Sequence, residues 1–171
     1  MLRAAMPDHV DRIVAQWRQE RPDLDTSGNA VMARLLRAAR ALERCMASVF
    51  ERYGLNRGEF DVLASLRRAG APFALGPTRL SEGLLLSTAA MTNRVDNLER
   101  MGLVRRHPDP CDRRQVQVEL TQRGRMLIDE AFPALIAEDE RLLLALSAGE
   151  REALTSLLRT VLTAWERAGL C

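Results

Sequence analysis

The chain has no lysine and few histidines and cysteines. All 25 basic residues are arginine, and there are only 2 histidines and 3 cysteines. Cys45, Cys111 and Cys171 are odd in number and lack CxxC spacing. The sequence therefore predicts neither a disulfide framework nor a zinc site, and with so few histidines we expect no metal-binding residues.

Long apolar runs are also missing. No stretch approaches the roughly 20 apolar residues that a membrane helix needs, and the N-terminus lacks the apolar core of a signal peptide. We therefore expect a cytoplasmic protein with no membrane partner. The sequence also has no glycine-rich phosphate loop and no nucleophile with a histidine partner. We predict that it is not an enzyme, has no catalytic residues and needs no cofactor.

The net charge of +2 is small, but the charges are unevenly distributed. Residues 91–125 contain eight arginines and five acids, whereas residues 126–171 contain four arginines and eight acids. A basic middle followed by an acidic end is typical of a protein that presents one face to phosphate groups. The length of 171 residues suffices for one substantial core, or for a small domain with a dimerisation element.

The stretch from Ser87 to Gly102 predicts a helix suited to the major groove of DNA. Ser87 is a favourable N-cap, and Gly102 is a favourable residue after the C-terminus. One face carries apolar residues at helical spacing: Met91, Val95, Leu98 and Met101. The first turns carry small or hydrogen-bonding residues that can approach base edges: Ser87, Thr88, Ala89, Thr92 and Asn93. An ordinary amphipathic surface helix has the same apolar spacing, so this helix alone does not identify DNA binding.

A basic hairpin follows this helix. Residues 103–107 predict a short strand, and over residues 115–120 apolar and polar residues alternate as in a strand with one buried face. Arg113 and Arg114 lie between the strands, where we expect them to reach phosphates or the minor groove. Asp109 and Asp112 are predicted to brace these arginines, although a solvated loop of mutually neutralised charges has the same composition. Helix and basic hairpin together predict a winged helix-turn-helix.

The remaining segments predict a mainly α protein with a small β-wing. Apolar spacing indicates helices at about 7–20, 29–53, 56–70, 78–84 and 121–146, and from Ser147 onward; Pro133 either kinks the 121–146 helix or divides it. We assign residues 55–120 to a winged helix-turn-helix DNA-binding domain. Residues 1–54 and 121–171 are assigned to a helical dimerisation region with an extra N-terminal helix. Pairing across a two-fold axis would place two recognition helices roughly 34–36 Å apart on a near-palindromic operator.

Five motifs between Leu80 and Gly124 carry a family resemblance, which extends in layout over nearly the whole chain. They are Leu80-Ser81-Glu82, the run from Met91 to Leu98, Gly102-Leu103-Val104, the run from Asp109 to Arg114, and the run from Val118 to Gly124. Together they resemble the MarR family, the multiple antibiotic resistance regulators. The resemblance implies a homodimeric transcriptional regulator, usually a repressor, that binds double-stranded operator DNA. It also implies that small molecules, often aromatic anions, bind between the dimerisation helices and the winged helices and weaken DNA binding.

The N-terminal helix with Trp17 is similar to the urate-responsive, PecS-type branch of this family. The resemblance implies a ligand-binding set of Trp17, Asp61, Arg94 and Arg106, with Arg105 as the alternative to Arg106. Urate is a planar anion near neutral pH, so an indole ring can stack on it and guanidinium groups can pair with its oxygens. Another purine or a phenolic carboxylate would suit the same residues. Asp61 would be repelled by the anion, or would hold an arginine that the anion captures.

Three alternatives fit the same sequence. Asp61 and Arg94 could form a plain interhelical salt bridge with Trp17 packed over it. The regulator could respond to oxidation through Cys111, which lies beside two arginines that favour a thiolate, or through Cys45. The alternative of another class is a helical interaction dimer without DNA binding, which would not need the basic hairpin.

Overall fold

The computed structural model describes residues 6–84, 87–109, 112 and 115–170, and for Thr88 it describes only the backbone. The chain divides into two compact units, Met1–Ser48 and Val49–Cys171. Helix α1 (His9–Glu20) lies in the first unit, and helix α2 (Ser27–Arg52) begins there and ends in the second.

In the first unit, ion pairs join α2 to the start of α1. Val10 and Val14 of α1 are only 2% and 9% exposed. The Asp8 carboxylate accepts hydrogen bonds from the backbone N–H groups of Val10 and Asp11, at 2.7 and 3.0 Å, which confirms the predicted helix start. Arg34 of α2 pairs with Asp8 at 2.9 Å and with Asp11 at 2.6 Å. Asp8 therefore both starts α1 and attaches it to α2.

The second unit contains the remaining elements. They are α3 (Arg57–Arg68), β1 (Ala74–Leu75), α4 (Pro77–Gly83), α5 (Thr88–Arg100), β2 (Val104–Pro108), β3 (Val116–Leu120), α6 (Gln122–Leu142) and α7 (Ala148–Arg167). This composition confirms the predicted fold class, mainly α with a small β-wing.

Polar caps start α3, α5, α6 and α7 where the sequence predicts these helices. Four side chains accept backbone N–H bonds at helix starts: Asn56 (α3), Ser87 (α5), Thr121 (α6) and Ser147 (α7). At α3 and α7 the acid three residues later accepts the N–H of the cap residue, which completes a capping box. Gly102, at φ 71°, adopts the left-handed conformation that ends α5.

A three-stranded antiparallel sheet has the order β1-β3-β2. Strands β2 and β3 form the predicted hairpin, in which Arg106 pairs with Val118 and Arg105 with Glu119. The sequence did not predict β1, whose two residues pair with Glu119 and Val118 of β3. A strand of two residues has no periodicity to detect, so only its pairing identifies it.

The core of the second unit joins α3 to α5, the sheet and α6. Its largest fully buried side chains are Val49, Val62, Leu63, Leu66, Leu80, Met91, Val95, Leu98, Leu103, Val104 and Ile128. Gly124 allows α6 to pass close to β2, because a Cβ atom there would overlap the carbonyl oxygen of Leu103. Each large apolar side chain contributes about 1.5–3 kcal/mol by leaving water, so α5 is held firmly on its apolar side.

Two helices complete the second unit. Helix α6 runs through Pro133 as one helix, so the alternative in which Pro133 divides it is wrong, and it ends at Leu142, before the predicted Leu146. Helix α7 has no buried residue, and its Leu154, Leu157 and Leu162 are 41%, 67% and 49% exposed. Within the described part of the chain, no helix is long and apolar enough to span a membrane.

Candidate nucleic-acid interface and effector site

Helix α5 presents to solvent the side that the sequence predicts for base contacts. Its apolar side is at most 1% exposed: Met91, Val95 and Leu98. The side chains of Ala89, Thr92 and Asn93 are exposed, as is the cap Ser87, while the side chain of Thr88 lies outside the described residues. Small side chains followed by an amide are the chemistry that reads base edges in a major groove.

Helix α4 supports α5 from the preceding position in the chain. Leu80 of α4 is 1% exposed, and the Ser81 hydroxyl donates to the carbonyl of Pro77 at 2.9 Å. Helix α4 packs against α5 and α3, and residues 85–86 between α4 and α5 lie outside the described residues. The two helices occupy the positions of a helix-turn-helix pair.

The tip of the wing is shaped by two aspartates. The Asp112 backbone N–H donates to the Asp109 carboxylate at 3.1 Å, and the Gln115 backbone N–H donates to the Asp112 carbonyl at 2.8 Å. The side-chain amide of Gln117 also donates to the Asp109 carboxylate. Arg113 and Arg114, which these aspartates were predicted to brace, lie outside the described residues, as does Cys111.

The two arginines of β2 have different partners. Arg106 reaches α5, where it donates to Asp96 and to Glu99, each at 2.5 Å, and its backbone N–H donates to Glu99 at 2.9 Å. Partial burial alone would lower the pKa of Arg106, but these two carboxylates outweigh burial and raise it. Arg105 pairs instead with Glu119 of β3 at 2.9 Å. Of the two candidates, Arg106 lies against the helix that carries Arg94.

Asp61 lies in an arginine-rich part of α3. Its carboxylate is 36% exposed and lies 3.7 Å from Arg57. Partial burial raises the pKa of Asp61, and the positive charges of Arg57, Arg94 and Arg68 oppose this rise. Asp61 is therefore a carboxylate whose ionisation is disfavoured by burial, although three cations surround it.

Two contacts between α3 and α5 were not identified from the sequence. The Arg94 guanidinium occupies the space beside Gly58, where an added Cβ atom would overlap it. The side-chain amide of Asn97 donates to the buried carboxylate of Glu59. A glycine in the first turn of a helix is a weak signal of such a close approach. No local pattern indicates the second contact of Glu59, because it bonds a residue 38 positions along the chain.

A cavity of about 290 Å³ lies between α3 and α6. Its lining is Ala64, Arg67 and Arg68 of α3 and Ile128, Asp129, Phe132 and Pro133 of α6. Ala64 and Arg68 follow Asp61 at spacings that share one helix side. The lining therefore combines apolar side chains with two arginines, of which Arg67 is already paired with Asp129 at 2.6 Å.

The remaining predicted residues can be placed separately. Trp17 lies on α1 in the first unit, with 48% of its surface exposed. Cys45 is a free, partly buried cysteine of α2. Among the described residues, no group of three or more histidines, cysteines and acids could hold a metal ion.

Known proteins are similar to this chain in sequence. A MarR family model matches residues 53–115. The chain is 39% identical over 152 residues to the HTH-type transcriptional regulator PecS of Dickeya dadantii, and the match covers 89% of this chain and 92% of that protein. The chain belongs to the MarR family. This MarR-family protein is a DNA-binding transcriptional regulator, and because its relatives are transcriptional regulators, the prediction that it is not an enzyme is confirmed.

Solved structures of two relatives show the same fold. One is a cysteine-to-serine mutant of MarR from E. coli complexed with operator DNA, with a TM-score of 0.68, 26% identity, and coverage of 85% of this chain and 97% of that one. The other is Bordetella bronchiseptica BpsR, whose DNA binding is regulated by 6-hydroxynicotinic acid. It has a TM-score of 0.67 and 27% identity, and covers 77% of this chain and 97% of that one.

Proposed function

We propose that this MarR-family protein is a homodimeric repressor that releases a near-palindromic operator when a small aromatic anion binds. Urate is the leading candidate, on the resemblance to the urate-responsive branch and the relationship to PecS. The regulation of BpsR by 6-hydroxynicotinic acid supports a planar aromatic acid as the class of effector. The proposed ligand-binding residues are Trp17, Asp61, Arg94 and Arg106.

The position of Arg94 carries this proposal. Arg94 belongs to the recognition helix α5, yet its guanidinium lies beside Gly58 of α3 and acts on Asp61. An anion that draws Arg94 toward itself must change a contact between α3 and α5. A ligand shifts an equilibrium only if it contacts the two states differently, and a moving recognition-helix arginine supplies that difference.

Arg106 extends the same mechanism to the wing. It is held by Asp96 and Glu99, which lie on α5 together with Arg94. An anion competing for Arg106 would release the wing strand from the recognition helix. The resemblance adds Trp17, whose half-exposed indole has the flat face that stacks on a purine ring.

Exposed apolar side chains support the homodimer. In the first unit they include Val31, Met32, Leu36 and Leu42 of α2, and in the second they include Leu154, Leu157 and Leu162 of α7. Apolar helix sides of this kind are normally covered by a partner. We propose that residues 1–54 and 121–171 pair two copies, so that two DNA-binding domains, residues 55–120, face successive turns of the operator.

The proposed DNA contacts divide into two kinds. Ser87, Thr88, Ala89, Thr92 and Asn93 would meet bases and phosphates in the major groove. Arg113 and Arg114 of the wing would meet phosphates or the minor groove, and their contribution should weaken as salt rises.

The test is fluorescence anisotropy with the DNA upstream of the protein's own gene. The duplex is titrated with wild-type protein and with Arg94→Ala, and each complex is then titrated with urate and with hypoxanthine, a neutral purine. We expect urate but not hypoxanthine to release wild-type protein. The Arg94→Ala variant should need at least about tenfold more urate, the equivalent of one lost charge-assisted hydrogen bond.

The outcomes separate the parts of the proposal. If urate has no effect but a phenolic carboxylate releases the operator, the effector is a phenolic carboxylate and the proposed site is retained. Equal urate sensitivity of wild-type protein and Arg94→Ala would remove Arg94 from the site. A complex that dissolves in neither ligand would contradict effector release itself.

A further inference from the structure

The most deeply buried acid between α3 and α5 is outside the proposed effector set. Glu59 is 4% exposed. A buried carboxylate is costly unless hydrogen bonds satisfy both of its oxygens. One oxygen accepts the backbone N–H of Asn56 at 2.9 Å, and the other accepts the side-chain amide of Asn97 on the recognition helix. Glu59 therefore starts α3 with one oxygen and holds α5 with the other.

Asn97 is fixed in one orientation by two bonds. Its amide nitrogen donates to Glu59, and its amide oxygen accepts an N–H of Arg100. Rotating the amide by half a turn would place donors against Arg100 and leave a lone pair against the Glu59 carboxylate. The bond between Glu59 and Asn97 thus has a definite direction.

A directional hydrogen bond limits the rotation of α5 about its axis more than apolar packing does. Val95 and Leu98 hold α5 by contacts that permit small rotations about the helix axis. Asn97 lies one turn beyond Asn93, about 6 Å along the helix at 1.5 Å per residue. Base contacts require positioning within about 0.5 Å and 10–20°. A fixed Asn97 therefore limits the rotation of the side that carries Asn93.

We propose that Glu59 is a positioning residue for operator recognition, acting through Asn97 to fix the rotation of α5 against α3. It touches no DNA itself. This role rests on DNA binding by the protein and is independent of the identity of the effector, so a regulator that ignores urate would retain it.

A charge exchange tests the bond. Asn97→Asp places a second carboxylate against buried Glu59, and we expect affinity for the operator to fall at least about tenfold. In the double variant Glu59→Gln with Asn97→Asp, the glutamine oxygen still accepts the Asn56 N–H. Its amide nitrogen now donates to the new carboxylate, which also accepts from Arg100. We expect the double variant to regain at least about tenfold.

The matched control separates the bond from net charge. Asn97→Asp combined with Glu82→Gln has the same net charge as the double variant, and Glu82 is exposed on α4. This control should bind the operator as weakly as Asn97→Asp alone. If it recovers as fully as the Glu59→Gln double variant, the effect is electrostatic attraction to DNA and the proposal is wrong.

Two measurements distinguish positioning from stability. Dissociation constants are measured for a duplex selected from a random library with wild-type protein, and for an unrelated duplex of equal length. Melting temperature is followed by circular dichroism. We expect the ratio of specific to non-specific affinity to fall in Asn97→Asp and to recover in the double variant, at a temperature where all variants are folded. An unchanged ratio would overturn the proposal.

If the charge variants do not fold, Asn97→Ala tests the role of the Glu59–Asn97 bond in specific DNA binding. It removes the bond and adds no charge. Weaker specific binding by the folded variant supports the positioning role, whereas a wild-type affinity ratio contradicts it.

Discussion

At the scale of single residues, Gly58 matters for the side chain that it lacks. It is the second residue of α3, and the space that a Cβ atom would fill is taken by the Arg94 guanidinium. Asp61, one turn later on α3, lies within electrostatic range of the same guanidinium. The proposed effector site therefore depends on a position with no functional group.

Gly58→Ala should displace Arg94 without unfolding the protein. The obstructed atoms are the end of a flexible side chain, and alanine is favoured over glycine in helices by up to about 1 kcal/mol. We expect the free energy of unfolding in urea to be equal or slightly higher, while more urate is needed to release the operator. Gly149→Ala is the matched control, because Gly149 is the second residue of α7 and has open space around it. Normal urate release by Gly58→Ala would contradict the assigned role of Arg94.

Asp61 should make stability depend on pH. Its folded pKa is raised above the ordinary value of 3.8 by burial, so ionised Asp61 lowers the stability of the fold. This penalty is absent below the unfolded pKa and complete above the folded one. Asp61→Asn should therefore be more stable than wild type at neutral pH. The gain should vanish as acid protonates Asp61, as measured by urea unfolding across that range.

Asp23→Asn provides a control of opposite sign. The hydrogen bond from Arg21 lowers the pKa of Asp23, so its removal should give no gain at neutral pH. A pH-independent effect of Asp61→Asn would show that burial does not set the ionisation of Asp61.

At the scale of secondary-structure elements, the recognition helix is tied on two sides. On one side, Gly58 and Glu59 of α3 contact Arg94 and Asn97 of α5. On the other side, Arg106 of β2 pairs with the two acids Asp96 and Glu99 of α5. The proposed response consists of loosening one or more of these ties.

Local sequence patterns predicted the helices and strands better than the hydrogen bonds and ion pairs between them. Caps such as Asn56 and Ser147 act within four residues, so the sequence identified where their helices begin. The bond between Glu59 and Asn97 and the pairing of β1 with β3 join distant positions, which no local pattern records. The family resemblance supplied Asp61 and Arg94 as a set, but it did not supply Gly58 between them.

Arg106 and Arg105 form a natural pair for comparison on β2. Arg106→Ala removes two ion pairs to α5, and because Asp96 and Glu99 can be solvated the loss of folding free energy should be about 1 kcal/mol or less. We expect weaker operator binding and a blunted urate response in anisotropy titrations. Arg105→Ala removes only the exposed pair with Glu119 and should keep the urate response. Equal effects of the two variants would argue against a specific role for Arg106.

At the scale of the whole molecule, α7 leaves an apolar surface uncovered. Leu157 is 67% exposed, and Leu154 lies on the same side one turn earlier. The proposed dimer would cover this surface and would match a two-fold operator.

Leu157→Glu should separate the copies without unfolding them. A charge at the centre of an apolar interface is strongly unfavourable, whereas on an isolated helix it is solvated. We expect a monomer by sedimentation, normal helical circular dichroism and weak operator binding. Ser156→Glu adds the same charge on the opposite side of α7 and should remain dimeric. A dimeric Leu157→Glu variant would place the interface elsewhere.

The bond between Glu59 and Asn97 also indicates which positions of the recognition helix can be changed freely in protein engineering. Ala89, Thr92 and Asn93 are exposed and can be randomised to seek new operator preferences, with little effect on packing. Asn97 is different, because every replacement there changes the group that the buried Glu59 carboxylate meets, and we expect single changes to weaken operator binding. A library that varies Glu59 and Asn97 together would sample different rotations of α5. Each rotation would change which bases the exposed side chains of the helix can reach.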